Sequence, residues 1–346
     1  MMSRLIRVDG GPGEGGGQIL RTALALSAAT GQGFEMTRIR ADRPRPGLLA
    51  QHTAAVRATA MICGAKIGGA FEGSPDLRFE PGAIQPGQFR FEIATAGAAT
   101  LLAQTVLAPL GTCGEPSRVD VTGGTHVPGS PAFDYLSRHW SVAVDALGLA
   151  VRLELLRAGF HPTGGGELRA EVAPWKRPAS IRLEDRGALV EVRGISLASR
   201  LKGSIAERQA GAARRRLWEA RRLEAAVDTV SPPAASPGCF LLLEAVFEKS
   251  RAAFGLLGER GVRPESLGDR VARQLLRFLD GEGAVDSHLA DQLAVALALS
   301  RGGGVVTTDE VTRHLEAVVV TVGLFGVPAR TWGRLGGPGG VEVGRC

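Results

Sequence analysis

Apolar and polar positions along this chain alternate between two periods. Short runs fit the extended, two-residue repeat of a strand: Leu5–Val8, Phe34–Arg40, Phe89–Ile93, Arg118–Val121 and Leu149–Leu155. Between them, apolar residues recur every three to four positions, the stripe of an amphipathic helix. That spacing predicts helices over Gln18–Ala29, Gly47–Cys63, Ala98–Leu110 and Ala132–Leu147. Later stretches, Val285–Leu299 and Thr308–Val322, predict two more, the second opened by a Thr307-x-x-Glu310 capping box.

The block 184–280 reads differently. A strand over Ala188–Ala198 leads to an arginine-rich helix opened by the capping box Ser204–Glu207 and running to Arg222. The loop SPPAASPG (231–238), an apolar strand Cys239–Phe247 and a helix Pro264–Leu279 follow. This β-α-β-β-α pattern predicts a small inserted domain over 184–280, splitting a larger domain made of 1–183 and 281–346. Strand, glycine-rich turn and helix recur at Asp9–Ala29, Thr122–Leu147 and Gly283–Ser300, which suggests duplicated units and an α/β (α+β) fold.

Composition narrows the function. With 346 residues, 44% apolar and 22% charged, the chain is globular and long enough for two domains. No run of 18 uncharged apolar residues occurs and the N-terminus lacks a signal-peptide core, so a cytoplasmic protein without a membrane partner is expected. Cys63, Cys113, Cys239 and Cys346 form no CxxC pair and read as free thiols. The net charge of +6 is almost all arginine, which suits a phosphate-bearing partner as well as it suits an arginine-rich genome. An aromatic content of 5% argues against a base-stacking RNA platform. The arginines 214, 215, 216, 221 and 222 read as a solvated helix face.

Candidate chemistry begins at DGGPGEGGGQILR, Asp9 to Arg21. A strand, glycines and a helix start resemble a phosphate cradle, because helix N-termini offer free N–H groups to anions. Gln18 follows Gly17, so there is no P-loop lysine. Glu14 would oppose a pyrophosphate unless a divalent metal lay between them; a plain tight turn is the simpler reading of this motif alone. In IRADRPRPGLLAQH, Arg40, Arg43 and Arg45 sit in a loop stiffened by Pro44 and Pro46, with Gln51 and His52 just beyond. The six histidines lack HxxEH and HExxH spacing, so a histidine-built metal site is not expected. His288 opens HLADQ, with Asp291 and Gln292 next; His314 is a lone helical histidine, either structural or nucleophilic. No GxSxG elbow and no lysine in a K-x-D-G setting is present.

Taken in order, DGGPGEGGGQILRTALALS, IRADRPRPGLLAQH, TLLAQTVLAPL, VTGGTHVPGSP, GFHPTGGGEL, HLADQL and VTRHLEAVVV resemble the RNA 3′-terminal phosphate cyclase family over residues 4–328. The resemblance implies a large domain of three βαβαββ-type units, like those of enolpyruvyl transferases, with a small thioredoxin-like domain inserted late. It implies use of ATP and a divalent metal, Mg²⁺ or Mn²⁺, to turn an RNA 3′-phosphate end into a 2′,3′-cyclic phosphate. His314 would attack the α-phosphorus of ATP and release pyrophosphate. AMP would pass from the histidine to the RNA phosphate, and the 2′-OH would then displace it. Glu14 would hold the metal. Gln104, His288, Leu289, Ala290, Asp291 and Gln292 match nucleotide-binding segments. Arg21, Arg40, Arg43, Gln51 and His52 would grip ATP phosphates or the RNA end, a division the sequence leaves open. Departures are Ala158 where many members carry a basic residue, His288 where tyrosine is common, and no asparagine three places after His314. The alternatives are a non-catalytic cyclase-like protein of RNA binding and ribosome assembly, and an enolpyruvyl transferase, which the lysine-poor chain fits badly. A homodimer is among the oligomeric states left open.

Overall fold

The computed structural model describes residues 5–11, 16–176, 180–202, 204–300 and 302–344; Glu14 and Cys346 lie outside them. The fold is mixed α/β, with four mixed four-stranded sheets among the described residues.

The chain opens with β1 (Ile6–Asp9), α1 (Gly16–Thr30), β2 (Phe34–Thr37), α2 (Ala50–Cys63), β3 (Lys66–Gly68) and β4 (Leu77–Glu80). Their sheet has the order β1-β2-β4-β3, with β1 and β2 parallel and the other pairs antiparallel. Next come β5 (Gln88–Glu92), α3 (Ala99–Gly111), β6 (Ser117–Gly123), α4 (Phe133–Tyr135), α5 (Ser141–Ala146), β7 (Val151–Arg157) and β8 (Gly166–Val172). The order β5-β6-β8-β7 carries the same senses. Parallel neighbours need a crossover, and α1 and α3 supply it.

A third sheet starts at β9 (Ile181–Leu183) but is not completed at once. The chain first builds β10 (Leu189–Ser199), α6 (Ser204–Arg221), β11 (Ala225–Val230), β12 (Gly238–Phe247), β13 (Arg251–Leu257) and α7 (Pro264–Asp280). These strands pair as β11-β10-β12-β13 over a core of their own, including Leu217, Leu243, Val271 and Phe278. Then α8 (Ser287–Leu299), β14 (Gly304–Thr308), α9 (Arg313–Leu324), β15 (Ala329–Gly333) and β16 (Gly339–Val343) close the third sheet as β9-β14-β16-β15. Here too the first pair is parallel and the rest antiparallel. Helices α1, α3, α8 and α9 pack on one another in the largest core. A smaller cluster, Tyr135, Phe160, Leu197, Phe240 and Ala253, joins the two cores.

Two expectations change. Residues Thr307 and Thr308 belong to β14, not to a helix. The run Val305–Thr308 is β-branched and pairs with β16, which suits extended backbone better than a helix start. Thr307 instead donates to the carbonyls of Leu183 and Glu184, and Thr312 caps α9 by accepting from the Leu315 N–H at 3.0 Å. The stretch 132–147 is helical but contains a π turn at Leu136–Trp140, and it links the second and third strands of its sheet in sequence, whereas α1 links the first two. It is α3, not this stretch, that occupies the place matching α1. The arginine-rich face of α6 is exposed at Arg214, Arg215, Arg221 and Arg222, as expected, and Arg208, Arg216 and Arg221 also pair with Glu265, Asp269 and Asp280 of α7. These half-exposed and exposed pairs add little stability each.

Candidate active site

A cavity of about 810 Å³ opens where α1, α3, α8 and the start of α9 converge. Arg21, Gln104, His288, Asp291, Gln292 and His314 all face it, from four helices far apart in sequence. Its opposite wall is Ala253–Leu257 of β13, and a proline-rich turn, Val127–Pro131, closes one side.

His314 is the second residue of α9, after the cap Thr312. It is half-buried, in the first turn of a helix, where negative charge is favoured. Gln104 donates to Gln292 at 2.6 Å, tying α3 to α8 across the cavity floor. The Arg21 guanidinium donates to Gln18 at 2.7 Å. Burial pulls its pKa down to about 10, partly opposed by Asp291, so it stays charged at neutral pH. Burial pushes the Asp291 carboxyl up to about 7, with Asp286 adding to the rise and His288 and Arg21 opposing it.

Arg40 and His52 flank the start of α1 outside the cavity lining. A Cβ on Gly16 would sit 2.7 Å from Arg40 Cγ, and one on Gly17 would sit 2.8 Å from His52 Nε2. The two glycines are therefore what lets both side chains approach the helix start. Arg40 braces the Arg/Pro loop by donating to the carbonyls of Arg45 (2.6 Å) and Gly47 (3.0 Å). Burial lowers its pKa, and the neighbouring Arg43 lowers it further. Gln51 accepts from the N–H of Ala98, the residue before α3. Leu289 and Ala290 are buried in the main core, not in the cavity lining.

His52 is neutral. Its Nδ1 accepts the Leu49 N–H at 3.1 Å, so Nε2 carries the proton and faces Gly17. Burial first, then Arg21 and Arg40, push its pKa down to about 3. A depressed histidine contributes stability that is present above its unfolded value of about 6.5 and is lost as pH falls toward the folded one. In His52→Asn the amide oxygen can still accept the Leu49 N–H. Urea melts of this variant should lose less stability between about pH 6.5 and 4 than wild type does; an unchanged slope would assign the acid sensitivity elsewhere.

Two sequence motifs find a structural use. His126 Nε2 donates to Asp134 at 2.8 Å, its Nδ1 lies 2.9 Å from the Thr125 hydroxyl, and the ring stacks on Phe160 at 5.1 Å. Phe160 N–H donates to Ser236 at 2.9 Å and Thr100 donates to the Pro131 carbonyl at 2.8 Å. These contacts hold the Val127–Pro131 wall. Sequence reasoning quoted the motif that holds Val127–Pro131 but not its place in the cavity wall, and it missed β13 and Tyr135. It also missed Asp286, although an Asp before a periodic run is a helix N-cap signal.

A histidine at a helix start, a half-buried arginine and a carboxyl pushed up to about 7 line one cleft. A sequence profile described as RNA 3′-terminal phosphate cyclase matches residues 12–327. The RNA 3′-terminal phosphate cyclase of Ralstonia nicotianae is 44% identical over 92% of this chain and 91% of its own length. Those of Methylococcus capsulatus and Archaeoglobus fulgidus are 40% and 41% identical over 93% of the chain, covering 91% and 95% of their own lengths. The chain belongs to the RNA 3′-terminal phosphate cyclase family. Among the described residues no helix is long and apolar enough to cross a membrane.

Proposed function

We propose that this chain converts an RNA 3′-phosphate to a 2′,3′-cyclic phosphate at the expense of ATP, through a histidine–AMP intermediate on His314. The observation that carries the reading is the shared cavity of His314, Arg21 and Asp291. A nitrogen lone pair of His314 attacks the α-phosphorus, and the bond to the bridging oxygen breaks, pyrophosphate leaving with the electron pair. An oxygen of the RNA 3′-phosphate then attacks the same phosphorus and the P–N bond breaks, giving an RNA–phosphate–AMP anhydride. The 2′-hydroxyl attacks the RNA phosphorus, its proton passes to solvent or a base, and AMP departs. Splitting one difficult displacement into three easier ones is the gain from covalent catalysis. Arg21, charged and desolvated, offsets negative charge on the transferring phosphoryl group. Gln104, Gln292 and the apolar β13 wall supply the polar and apolar lining a nucleoside needs. Arg43, Arg40 and His52 stand near the start of α1, where the RNA end or the outer phosphates would lie.

The three sheets of like order and sense support a large domain of three βαβαββ units, residues 1–183 and 281–346. The separate core of α6, α7 and their sheet supports an insertion over 184–280 into the third unit, of the thioredoxin-like kind.

Among the described residues no group of three or more His, Cys, Asp or Glu side chains is placed to hold a metal ion. They do not by themselves make a metal site, and no step above passes through one. Glu14 acting with phosphate oxygens of the substrate would need no such protein cage. On that reading Glu14→Gln should raise the Mg²⁺ or Mn²⁺ concentration for half-maximal adenylylation by about tenfold or more; an unchanged metal titration would remove Glu14 from that role.

The deciding experiment uses α-labelled ATP. Wild-type protein should form an acid-labile, denaturation-resistant AMP adduct, and an RNA 3′-phosphate should discharge it to cyclic ends. A protein that binds RNA 3′ ends but never forms the adduct would instead be a non-catalytic relative.

A further inference from the structure

The proposed reaction makes no use of Asp286, yet this fully buried carboxylate is held by four donors. Oδ1 accepts from the Tyr135 hydroxyl (2.8 Å) and the Leu289 N–H (3.1 Å), and Oδ2 from His139 Nε2 (2.7 Å) and the Ala253 N–H (3.2 Å). They come from three parts of the fold. Leu289 is in the first turn of α8, Ala253 is on β13, and Tyr135 immediately precedes the π turn at Leu136–Trp140, which contains His139. A π turn widens a helix locally. Here it sets the two rings 4.9 Å apart, edge to face, with one reaching each oxygen. Among the described residues His139 Nδ1 is buried with no hydrogen-bond partner, and the ring's one hydrogen bond there is to the carboxylate. The adjacent Arg138 extends the attachment by pairing with the buried Glu244 of β12 at 3.1 Å.

The two elements joined by this carboxylate are opposite walls of the cavity. The first turns of α8 present His288 and Asp291; β13 is the facing wall. Burial alone would favour a neutral acid, but His139, His288 and the Tyr135 hydroxyl hold the Asp286 pKa below its ordinary value. A buried carboxylate with every donor engaged is rigid, and losing one partner leaves others unsatisfied.

We propose that Asp286 is a positioning residue for nucleotidyl transfer: it fixes the first turn of α8, with His288 and Asp291, at a set spacing from β13, and so keeps the nucleotide in line with His314. The proposal rests on the histidine–AMP reading above. Misplacement by about 1 Å can cost a rate on the order of 10²-fold without loss of binding contacts.

Asp286→Asn keeps the shape but turns an NH₂ toward a donor. Rapid-quench adenylylation with α-labelled ATP should show a maximal rate lower by about 30-fold or more, and an ATP concentration for half-saturation changed by less than about threefold. The acid limb of the rate should also move to lower pH, because Asp291, faced by His288, Arg21 and Asp286, loses its negative neighbour. Wild-type rate, saturation and pH profile per folded molecule, with only a lower melting temperature, would make Asp286 structural and overturn the proposal. If Asp286→Asn does not fold, His139 decides, since it touches the carboxylate and is absent from the cavity lining. His139→Leu should slow adenylylation and His139→Gln, which restores an N–H donor, should recover most of it; equal rates in the two overturn the proposal. Absence of an adduct in wild type would sink the histidine–AMP reading and this proposal together, whereas a wild-type adduct beside unaffected variants sinks this proposal only.

Discussion

Replacing His314 with alanine should abolish the AMP adduct and lower cyclisation of an RNA 3′-phosphate by at least about 10³-fold, the scale seen when a covalent nucleophile is removed. The fold should survive. The ring is half-buried at the second position of α9, and the cap that starts the helix is the Thr312 hydroxyl on Leu315 N–H. A melting temperature within a few degrees of wild type is therefore expected, and RNA-end binding should persist. The variant also separates the steps. An RNA whose 3′-phosphate already carries AMP needs no histidine nucleophile, because only the attack by the 2′-hydroxyl remains. His314→Ala should close that substrate at a rate much nearer wild type than its rate from ATP. Adduct formation by the variant, with the label mapped to another residue, would move the nucleophile; failure on both substrates alike would make His314 a general structural element of the cleft.

The residues that meet in the cleft were readable in the sequence as motifs, but not as neighbours. Arg21, Gln104, His288, Asp291, Gln292 and His314 come from α1, α3, α8 and α9, and only the packing of those helices makes them one site. Within 184–280 the two helices and the central strand were legible, since Ser204 and Pro264 mark helix starts and the apolar run Cys239–Phe247 fits a buried strand. The short strands β3, β4, β15 and β16 were not, because runs of three to five residues leave too little alternation to count. The Thr307-x-x-Glu310 signal was real as a pattern and wrong as a cap: pairing of β14 with β16 outweighed it and moved the helix start to Thr312. Asp286 shows the opposite failure. As an N-cap it is locally ordinary; its bonds to Tyr135, His139 and Ala253 are long-range and have no local signature.

Arg21 carries the second large effect. Its half-buried guanidinium and the Asp291 carboxyl each influence the other's titration, His288 acting on Asp291 as well. Arg21→Ala should lower adenylylation efficiency with ATP by about 10²–10³-fold, because a desolvated cation aimed at a phosphoryl group has no solvent substitute. Arg21→Lys should recover only part, since an ammonium keeps the charge but not the planar fork. The pH dependence gives an independent sign. Asp291 is neutral below about pH 7 and ionised above it, so in wild type a negative charge develops under the influence of Arg21, and the rate should rise, as pH climbs through that range. Removing Arg21 removes an interaction that lowers the Asp291 pKa. The acid limb in Arg21→Ala should therefore move to higher pH, the reverse of the shift expected for Asp286→Asn, while Arg21→Lys should stay close to wild type. A limb that does not move in Arg21→Ala would assign it to another group and leave the loss of rate to phosphate contacts alone.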